Sequence, residues 1–203
     1  MTKENYIDEV IAYIARVDKT RRAHPRVIEA ALTNAINSVW SMIYQEAPHD
    51  VSLFTQTYEN VSVTGDKTYL TSNYTEGAEP IDMVNLPRIG GGVMAIRPTN
   101  DIDVMFFPMS VRDAMFQERL ESHSYTTDVG YVVRGNEIQY LGIPNEVEEV
   151  DVDIVRSFAE YDYTEIFYMP WRQEDIIGMV LQKLGIVAPV NLKNNNSDEH
   201  SAG

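Results

Sequence analysis

Apolar positions in the first quarter of the chain recur at the spacing of an α-helix. They predict one helix over residues 4–17 and a second over residues 25–46. Pro25 suits the first position of the second helix, and Pro48 ends it. The second apolar stripe is wide, which is typical of a helix that packs on more than one partner. We therefore expect a helical hairpin over residues 1–47.

After this hairpin the pattern changes to short runs rich in Val, Thr, Tyr and Phe, with turn residues between them. Such runs predict β-strands. Gly65-Asp66 is typical of a hairpin turn, and Gly135-Asn136 marks the clearest β-hairpin in the sequence. The expected strands are residues 51–58, 60–64, 67–72, 93–97, 102–107, 131–134 and 137–140, and a short helix is expected over residues 110–120.

One further strand is predicted where apolar and acidic residues alternate. Residues 150–155 carry Val or Ile at every second position, which indicates a strand with one solvated face. Residues 164–169 are its expected partner. The acidic run over residues 146–153 favours a solvated sheet edge, because charge there discourages wrong strand pairing.

A closing helix completes the predicted fold, which belongs to the α+β class. This helix is expected to begin near Pro170-Trp171 and to stop at Gly185. The terminal helices form one bundle, and the β-rich region is a hairpin- or sandwich-like insertion between them. The expected division is a helical hairpin (1–47), a β-rich insertion (48–169), a closing helix packed on the hairpin (170–186) and a polar tail (187–203).

Composition removes several classes of protein. The 203 residues are 44 % hydrophobic and 23 % charged, as in ordinary globular chains. The absence of cysteine excludes disulfides, thiolate catalysis and cysteine-ligated zinc. No apolar run is long enough to span a bilayer, and the polar N-terminus has no signal core. We expect a protein that is made in a cytoplasm and has no membrane partner.

The net charge of −15 is distributed unevenly along the chain. Residues 1–47 hold six basic and six acidic side chains, so the rest of the chain carries the whole net negative charge. Such an acidic body repels phosphate, which argues against specific nucleic-acid binding. Five basic residues fall within residues 16–26 and include Arg21 and Arg22. We interpret this segment as a solvated turn that pairs with an acidic neighbour rather than as a DNA contact.

Few residues suggest catalysis, and we assign no catalytic residue, cofactor or metal ligand. The four histidines lie far apart, and the triple glycine at residues 90–92 leads into a strand instead of the helix of a phosphate-binding loop. That triple glycine is better explained as a bend or a close backbone contact. Two pairs of aspartates remain, and each pair would share one face of a strand, where it could chelate a cation: Asp101 with Asp103, and Asp151 with Asp153.

Apolar and basic clusters suggest contacts with other subunits. A methionine- and phenylalanine-rich run suits either a core or an interface, and both interpretations remain open. The candidate assembly contacts are Trp40, Met105, Phe106, Phe107 and Trp171, together with Arg21 and Arg22.

The order of elements resembles that of head–tail adaptor and ring proteins of short-tailed bacteriophages. Several short stretches are similar to neck or ring proteins of crAss-like phages. They are Arg21-Arg22-Ala23-His24-Pro25, residues 30–35, Asn85-Leu86-Pro87-Arg88 before the triple glycine, residues 131–140, and Met169-Pro170-Trp171.

This resemblance implies a non-enzymatic structural protein of the virion. The chain would be one subunit of a homo-oligomeric, twelve-fold ring in the neck or tail, with the portal and other neck or tail proteins as partners. DNA would pass through the ring as cargo without specific binding. Two alternatives stay open, namely a small divalent-metal-dependent enzyme that uses the paired aspartates, and a monomeric cytoplasmic protein-binding module.

Overall fold

The computed structural model describes residues 2–17, 23–100, 102–117, 128–167 and 173–186. Within them the chain is an α+β protein, as predicted, and its strands form two sheets. None of the described helices is long and apolar enough to cross a membrane. The helices are α1 (Lys3–Val17), α2 (Pro25–Glu46), α3 (Val111–Gln117) and α4 (Gln173–Lys183). The strands are β1 (Thr55–Ser62), β2 (Lys67–Tyr69), β3 (Val93–Pro98), β4 (Met105–Pro108), β5 (Asp128–Arg134), β6 (Glu137–Leu141) and β7 (Glu149–Val155).

The two N-terminal helices have the bounds that the sequence predicts, to within one residue. Pro25 occupies the first turn of α2, and the Nδ1 atom of His24 accepts a hydrogen bond from the Arg26 backbone N–H at 3.2 Å. The His24 side chain therefore satisfies one of the N–H groups that the start of a helix leaves unpaired.

A 3₁₀ turn at Pro48–Phe54 follows α2, where the sequence suggested the start of a strand. The ring of Phe54 stacks on Trp40 with 5.2 Å between centroids. Burial of Phe54 against the bundle therefore holds this segment away from the sheet, and β1 begins only at Thr55.

The helical bundle has a core to which the β-rich region also contributes. Helices α1, α2 and α4 supply most of its buried side chains, and α4 packs on α2 as expected. Seven further core residues lie between α2 and α4 in sequence. They are Phe54, Val84, Leu86, Val155, Phe158, Tyr161 and Phe167.

Strand β7 is the central strand of a three-stranded antiparallel sheet in the order β1-β7-β3. The prediction of an acidic sheet edge is therefore wrong, and so is the pairing with residues 164–169. Val152 lies opposite Tyr58 on one side and Ile96 on the other. Of the expected partner segment, Ile166 forms a single bridge with Thr2, and residues 168 and 169 lie outside the described residues.

Strand β1 is continuous where the sequence suggested two separate strands. Its pairing with β7 shifts register between Tyr58 and Val61, and Asn60 has a φ of 55°. The N–H of Asn60 donates to the Asp151 carboxylate at 3.0 Å. The break in the apolar pattern is thus a β-bulge inside one strand.

The second sheet has the order β2-β6-β5-β4 and faces the first sheet. The predicted β5–β6 hairpin is confirmed, with Gly135 at a φ of 61° in its turn. Strand β4 runs parallel to β5, and α3 lies between them in sequence. Inner residues of both sheets form a second apolar core, which gives the sandwich-like arrangement that was expected.

The triple glycine bends the chain just before β3. Gly90 and Gly91 have φ values of 90° and 54°, which side chains rarely adopt. At Gly92 a Cβ atom would lie 2.7 Å from the Val84 carbonyl oxygen. Both interpretations of this segment, a bend and a close backbone contact, are confirmed.

Lys3 is buried at the start of α1, and its ammonium group has three hydrogen-bonding partners. The Nζ atom lies 2.6 Å from a carboxylate oxygen of Glu29, 3.0 Å from the Ala159 carbonyl and 3.1 Å from the Tyr161 carbonyl. It also lies above the Phe158 ring, 5.6 Å from the centroid. A flush antiparallel hairpin would place Lys3 near the last turns of α2. Its contact with Glu29 instead brings the start of α1 close to the start of α2, so the two helices do not form a flush hairpin.

We predict that Lys3→Met lowers the free energy of unfolding by about 2–4 kcal/mol, because Glu29 and two carbonyl groups lose their buried donor. Lys67→Met is the matched control, since the Lys67–Glu137 pair is exposed to solvent and contributes little. Urea denaturation of both variants measures the difference. Equal, small losses in the two variants would contradict the structural role of Lys3.

Candidate assembly surface

Helix α3 is fixed to the outer face of the second sheet by its first turn and by one small residue. The Ser110 hydroxyl accepts a hydrogen bond from the Asp113 N–H at 3.1 Å and donates one to the Asp113 carboxylate at 2.6 Å. These two hydrogen bonds cap the first turn of the helix. Ala114 is buried with Met109 and Val132 in a small third apolar cluster.

Larger apolar side chains of this helix face solvent. Val111 is 48 % exposed and Met115 is 53 % exposed, and they lie one turn apart on one face of α3. A helix that only stabilised the fold would bury such residues in preference to alanine. The outward face of α3 therefore presents apolar side chains to solvent.

Strand β4 extends this apolar surface. Met105 is 69 % exposed and Phe107 is 38 % exposed, and their spacing places both on the outer face of the sheet. Phe107 and Met109 occupy the space above Gly130, where a Cβ atom would lie 2.2 Å from the Met109 sulfur.

The exposed residues around β4 and α3 form what we call the β4–α3 surface. Five of the eleven exposed large apolar side chains among the described residues fall between residues 89 and 115, on β4, on α3 and on the turn before β3, and two of them, Ile89 and Val111, line one cleft. Clusters of this kind mark interaction sites more often than isolated exposed residues do. The β4–α3 surface comprises Ile89, Met105, Phe107, Val111 and Met115.

The predicted assembly contacts do not all lie on the surface of the protein. Met105 and Phe107 lie on the β4–α3 surface, whereas Phe106 points inward and packs edge-on against Tyr140 at 5.7 Å. Trp40 is wholly buried between Phe54 and Tyr161. Trp40 is therefore a core residue and not a surface contact, because the wide apolar stripe of α2 meets several partners.

Three of the predicted contacts, Arg21, Arg22 and Trp171, lie outside the described residues, as does Asp101. Conversely, Ile89 and Val111 belong to the surface although we did not select them from the sequence. The helical spacing of Val111 and Met115 was an available signal, but Ile89 is a lone apolar residue whose exposure the sequence does not indicate.

A cleft of about 560 Å³ opens beside this surface. Its lining comes from the segment between Asp82 and Gly92, from the start of α3 and from the β5–β6 turn. Ile89 and Val111 both belong to this lining, and Arg88 and Asp82 supply its charge. Its size is within the usual range for ligand or peptide sites.

Asp151 and Asp153 share one face of β7, as expected, but both carboxylates have protein partners. Asp153 accepts two hydrogen bonds from Arg97, at 2.6 and 2.9 Å, and one from the Thr57 hydroxyl at 2.6 Å. Asp151 accepts the Asn60 N–H. These bonds tie β1, β7 and β3 together, and they give both aspartates a structural role.

The electrostatics of Asp153 agree with this role. Burial alone raises the pKa of its carboxyl, but the hydrogen bonds from Arg97 and Thr57 outweigh burial and lower the pKa below its usual value of 3.8. Within the described part of the chain, no group of three or more histidine, aspartate and glutamate side chains converges to hold a metal ion.

Comparison with known proteins adds no family assignment. No protein-family model matches the chain, and no curated protein matches it significantly.

We predict that Asp153→Asn lowers the free energy of unfolding at pH 7 by about 1 kcal/mol, a modest value because solvent screens the half-exposed Arg97. A lowered pKa stabilises the fold above about pH 4, and this contribution is lost as the pH falls further. The difference from the wild type should therefore shrink between about pH 5 and pH 2 in denaturant titrations.

Asp103→Asn is the control, because that exposed side chain has no described ion pair. Mg²⁺ or Mn²⁺ should leave the melting temperature of the wild type unchanged. A rise with either ion that Asp153→Asn abolishes would contradict the structural role and favour the metal-dependent enzyme.

Proposed function

We propose that this chain is a non-enzymatic structural subunit of a larger protein assembly, and that the assembly is a ring in the neck or tail of a bacteriophage. The β4–α3 surface is the observation that carries this proposal. It presents exposed Met, Phe, Val and Ile side chains on β4, on α3 and on the turn before β3, and such side chains favour subunit contacts.

The resemblance of the element order to head–tail adaptor and ring proteins supports the phage setting. The N-terminal helical pair, the β-rich insertion and the closing helix on α2 follow that order. In this proposal the ring is homo-oligomeric and twelve-fold, and it contacts the portal and other neck or tail proteins.

The charge of the chain suits a channel for DNA. A net charge of −15 repels the phosphate backbone, so DNA would pass through the ring without binding to its wall. The bonds made by Asp151 and Asp153 favour a structural role over metal-dependent catalysis. A monomeric protein-binding module would use the same β4–α3 surface, and the oligomeric state distinguishes it from a ring subunit.

We predict that the purified protein self-associates, and that Met105→Ser combined with Phe107→Ser raises the dissociation constant of this association at least about tenfold. The reason is that each exposed apolar side chain contributes on the order of 1 kcal/mol or more when it is buried at a contact. Light scattering after gel filtration gives the mass, and negative-stain images show whether large species are rings.

Leu53→Ser combined with Ile166→Ser is the matched control, because these apolar side chains are equally exposed but lie outside the β4–α3 surface. The control should assemble like the wild type. A wild type that stays monomeric at high concentration would count against self-assembly, and equal effects of the two double variants would count against this surface.

A further inference from the structure

The exposed methionines of the described residues all lie on the β4–α3 surface. The chain has nine methionines and no cysteine, and seven of the methionines lie among the described residues. Of these seven, only Met105 and Met115 are exposed, at 69 % and 53 %. The other five are buried or half-buried, and they are Met42, Met83, Met94, Met109 and Met179.

Contacts inside the fold shield the sulfur atoms of those five side chains. The Met109 sulfur packs over Gly130, where a Cβ atom would lie only 2.2 Å from it. The Met94 sulfur accepts a hydrogen bond from the Arg88 guanidinium at 3.4 Å. The remaining three side chains pack against the two apolar cores, and they are Met42, Met83 and Met179. An oxidant in solution therefore reaches Met105 and Met115 more readily than these five.

A thioether that is open to solvent reacts with peroxides. Its sulfur lone pair attacks one oxygen atom of hydrogen peroxide, the O–O bond breaks, and the second oxygen leaves as water. The sulfur loses two electrons, which the peroxide gains, and the product is methionine sulfoxide. A polar S–O group then stands where the side chain was apolar, and burying such a group without a hydrogen-bond partner costs free energy.

We propose that Met105 and Met115 are sites of oxidation by peroxides, and that their conversion to sulfoxides blocks self-association through the β4–α3 surface. Both side chains supply apolar area to that surface in the reduced protein. Association in turn covers the two sulfur atoms and slows their oxidation. This inference rests on the proposed function and names a chemical regulation of the same surface.

The fold itself should tolerate this modification. Neither Met105 nor Met115 belongs to an apolar core of the described residues, so an added oxygen atom at either sulfur disturbs no core packing. Circular dichroism and the melting temperature should therefore stay the same after a brief treatment with hydrogen peroxide, which separates a loss of association from a loss of structure.

Peptide mass spectrometry after that treatment tests the selectivity. At a protein concentration low enough to keep the chain monomeric, Met105 and Met115 should be oxidised at least about tenfold faster than the buried Met109. At a concentration that favours association, oxidation of the two exposed methionines should slow while that of Met109 stays the same. Equal rates at all three positions would overturn the assignment of these sites.

Two double variants test the effect on association, which analytical ultracentrifugation measures before and after peroxide. Met105→Leu combined with Met115→Leu keeps the surface apolar without a thioether, so its dissociation constant should stay within about threefold of the wild type under both conditions. Met105→Gln combined with Met115→Gln imitates the polar product and should raise the dissociation constant at least about tenfold without any oxidant.

Met42→Leu combined with Met179→Leu is the matched control, because it removes two half-buried thioethers that pack against the bundle core. This variant should remain as sensitive to peroxide as the wild type. Treatment of the oxidised wild type with methionine sulfoxide reductases, one for each epimer of the sulfoxide, should restore association.

The outcomes separate this inference from the proposed function. An oxidised wild type that associates weakly, with a leucine variant that resists peroxide, would support the regulation. An oxidised wild type that associates as before, or a leucine variant that peroxide weakens as strongly as the wild type, would overturn it while the proposed function stands. A wild type that remains monomeric at every concentration would overturn the proposed function and this regulation together.

Discussion

Strand β7 joins the two apolar cores of this protein, and the rest of the fold depends on that junction. Ile154 and Val155 are adjacent, so their side chains point to opposite faces of the strand. Ile154 is buried in the core between the sheets, whereas Val155 is buried in the core of the helical bundle. A shift of one residue in register would turn Ile154 toward the helical bundle and Val155 toward the core between the sheets. It would also turn the acidic side chains of β7 toward the core between the sheets.

The segment after β7 strengthens the junction. The Asn37 side chain on α2 donates to the Ser157 hydroxyl at 2.8 Å and accepts the Phe158 N–H at 3.0 Å. Lys3 then binds the carbonyls of Ala159 and Tyr161 from the start of α1. Both N-terminal helices are therefore hydrogen-bonded to the residues that leave the sheet.

Local patterns in the sequence predicted the helices and strands well. They could not predict which strands pair across long distances in sequence. The limits of α2 follow from its apolar stripe and from Pro25 and Pro48, and the β5–β6 hairpin follows from its turn. For β7 the alternation correctly indicated one solvated face, but it carries no information about strand neighbours. The partners of Asp153 are 56 and 96 residues away in sequence. Local spacing therefore could not show that β7 lies between two other strands.

The candidate surface was predictable only in part for a similar reason. From the sequence, the Met105–Pro108 run suits either a core or an interface. Because alternate side chains of a strand point to opposite faces, some of its residues lie in the core and others on the surface. Exposure of Val111 depends on α3 packing through Ala114, and the cleft beside the surface depends on three segments meeting in space. Such features arise from tertiary contacts and leave little trace in local spacing.

Amide hydrogen exchange at low and high protein concentration tests the central claim most directly, because it reports both the rigid junction and the surface that binds other copies. We expect amides of residues 154–158 to exchange slowly at every concentration, and amides of residues 105–115 to gain protection as concentration rises. Protection over residues 105–115 that does not change with concentration, in a protein that self-associates, would contradict the assignment of this surface to assembly.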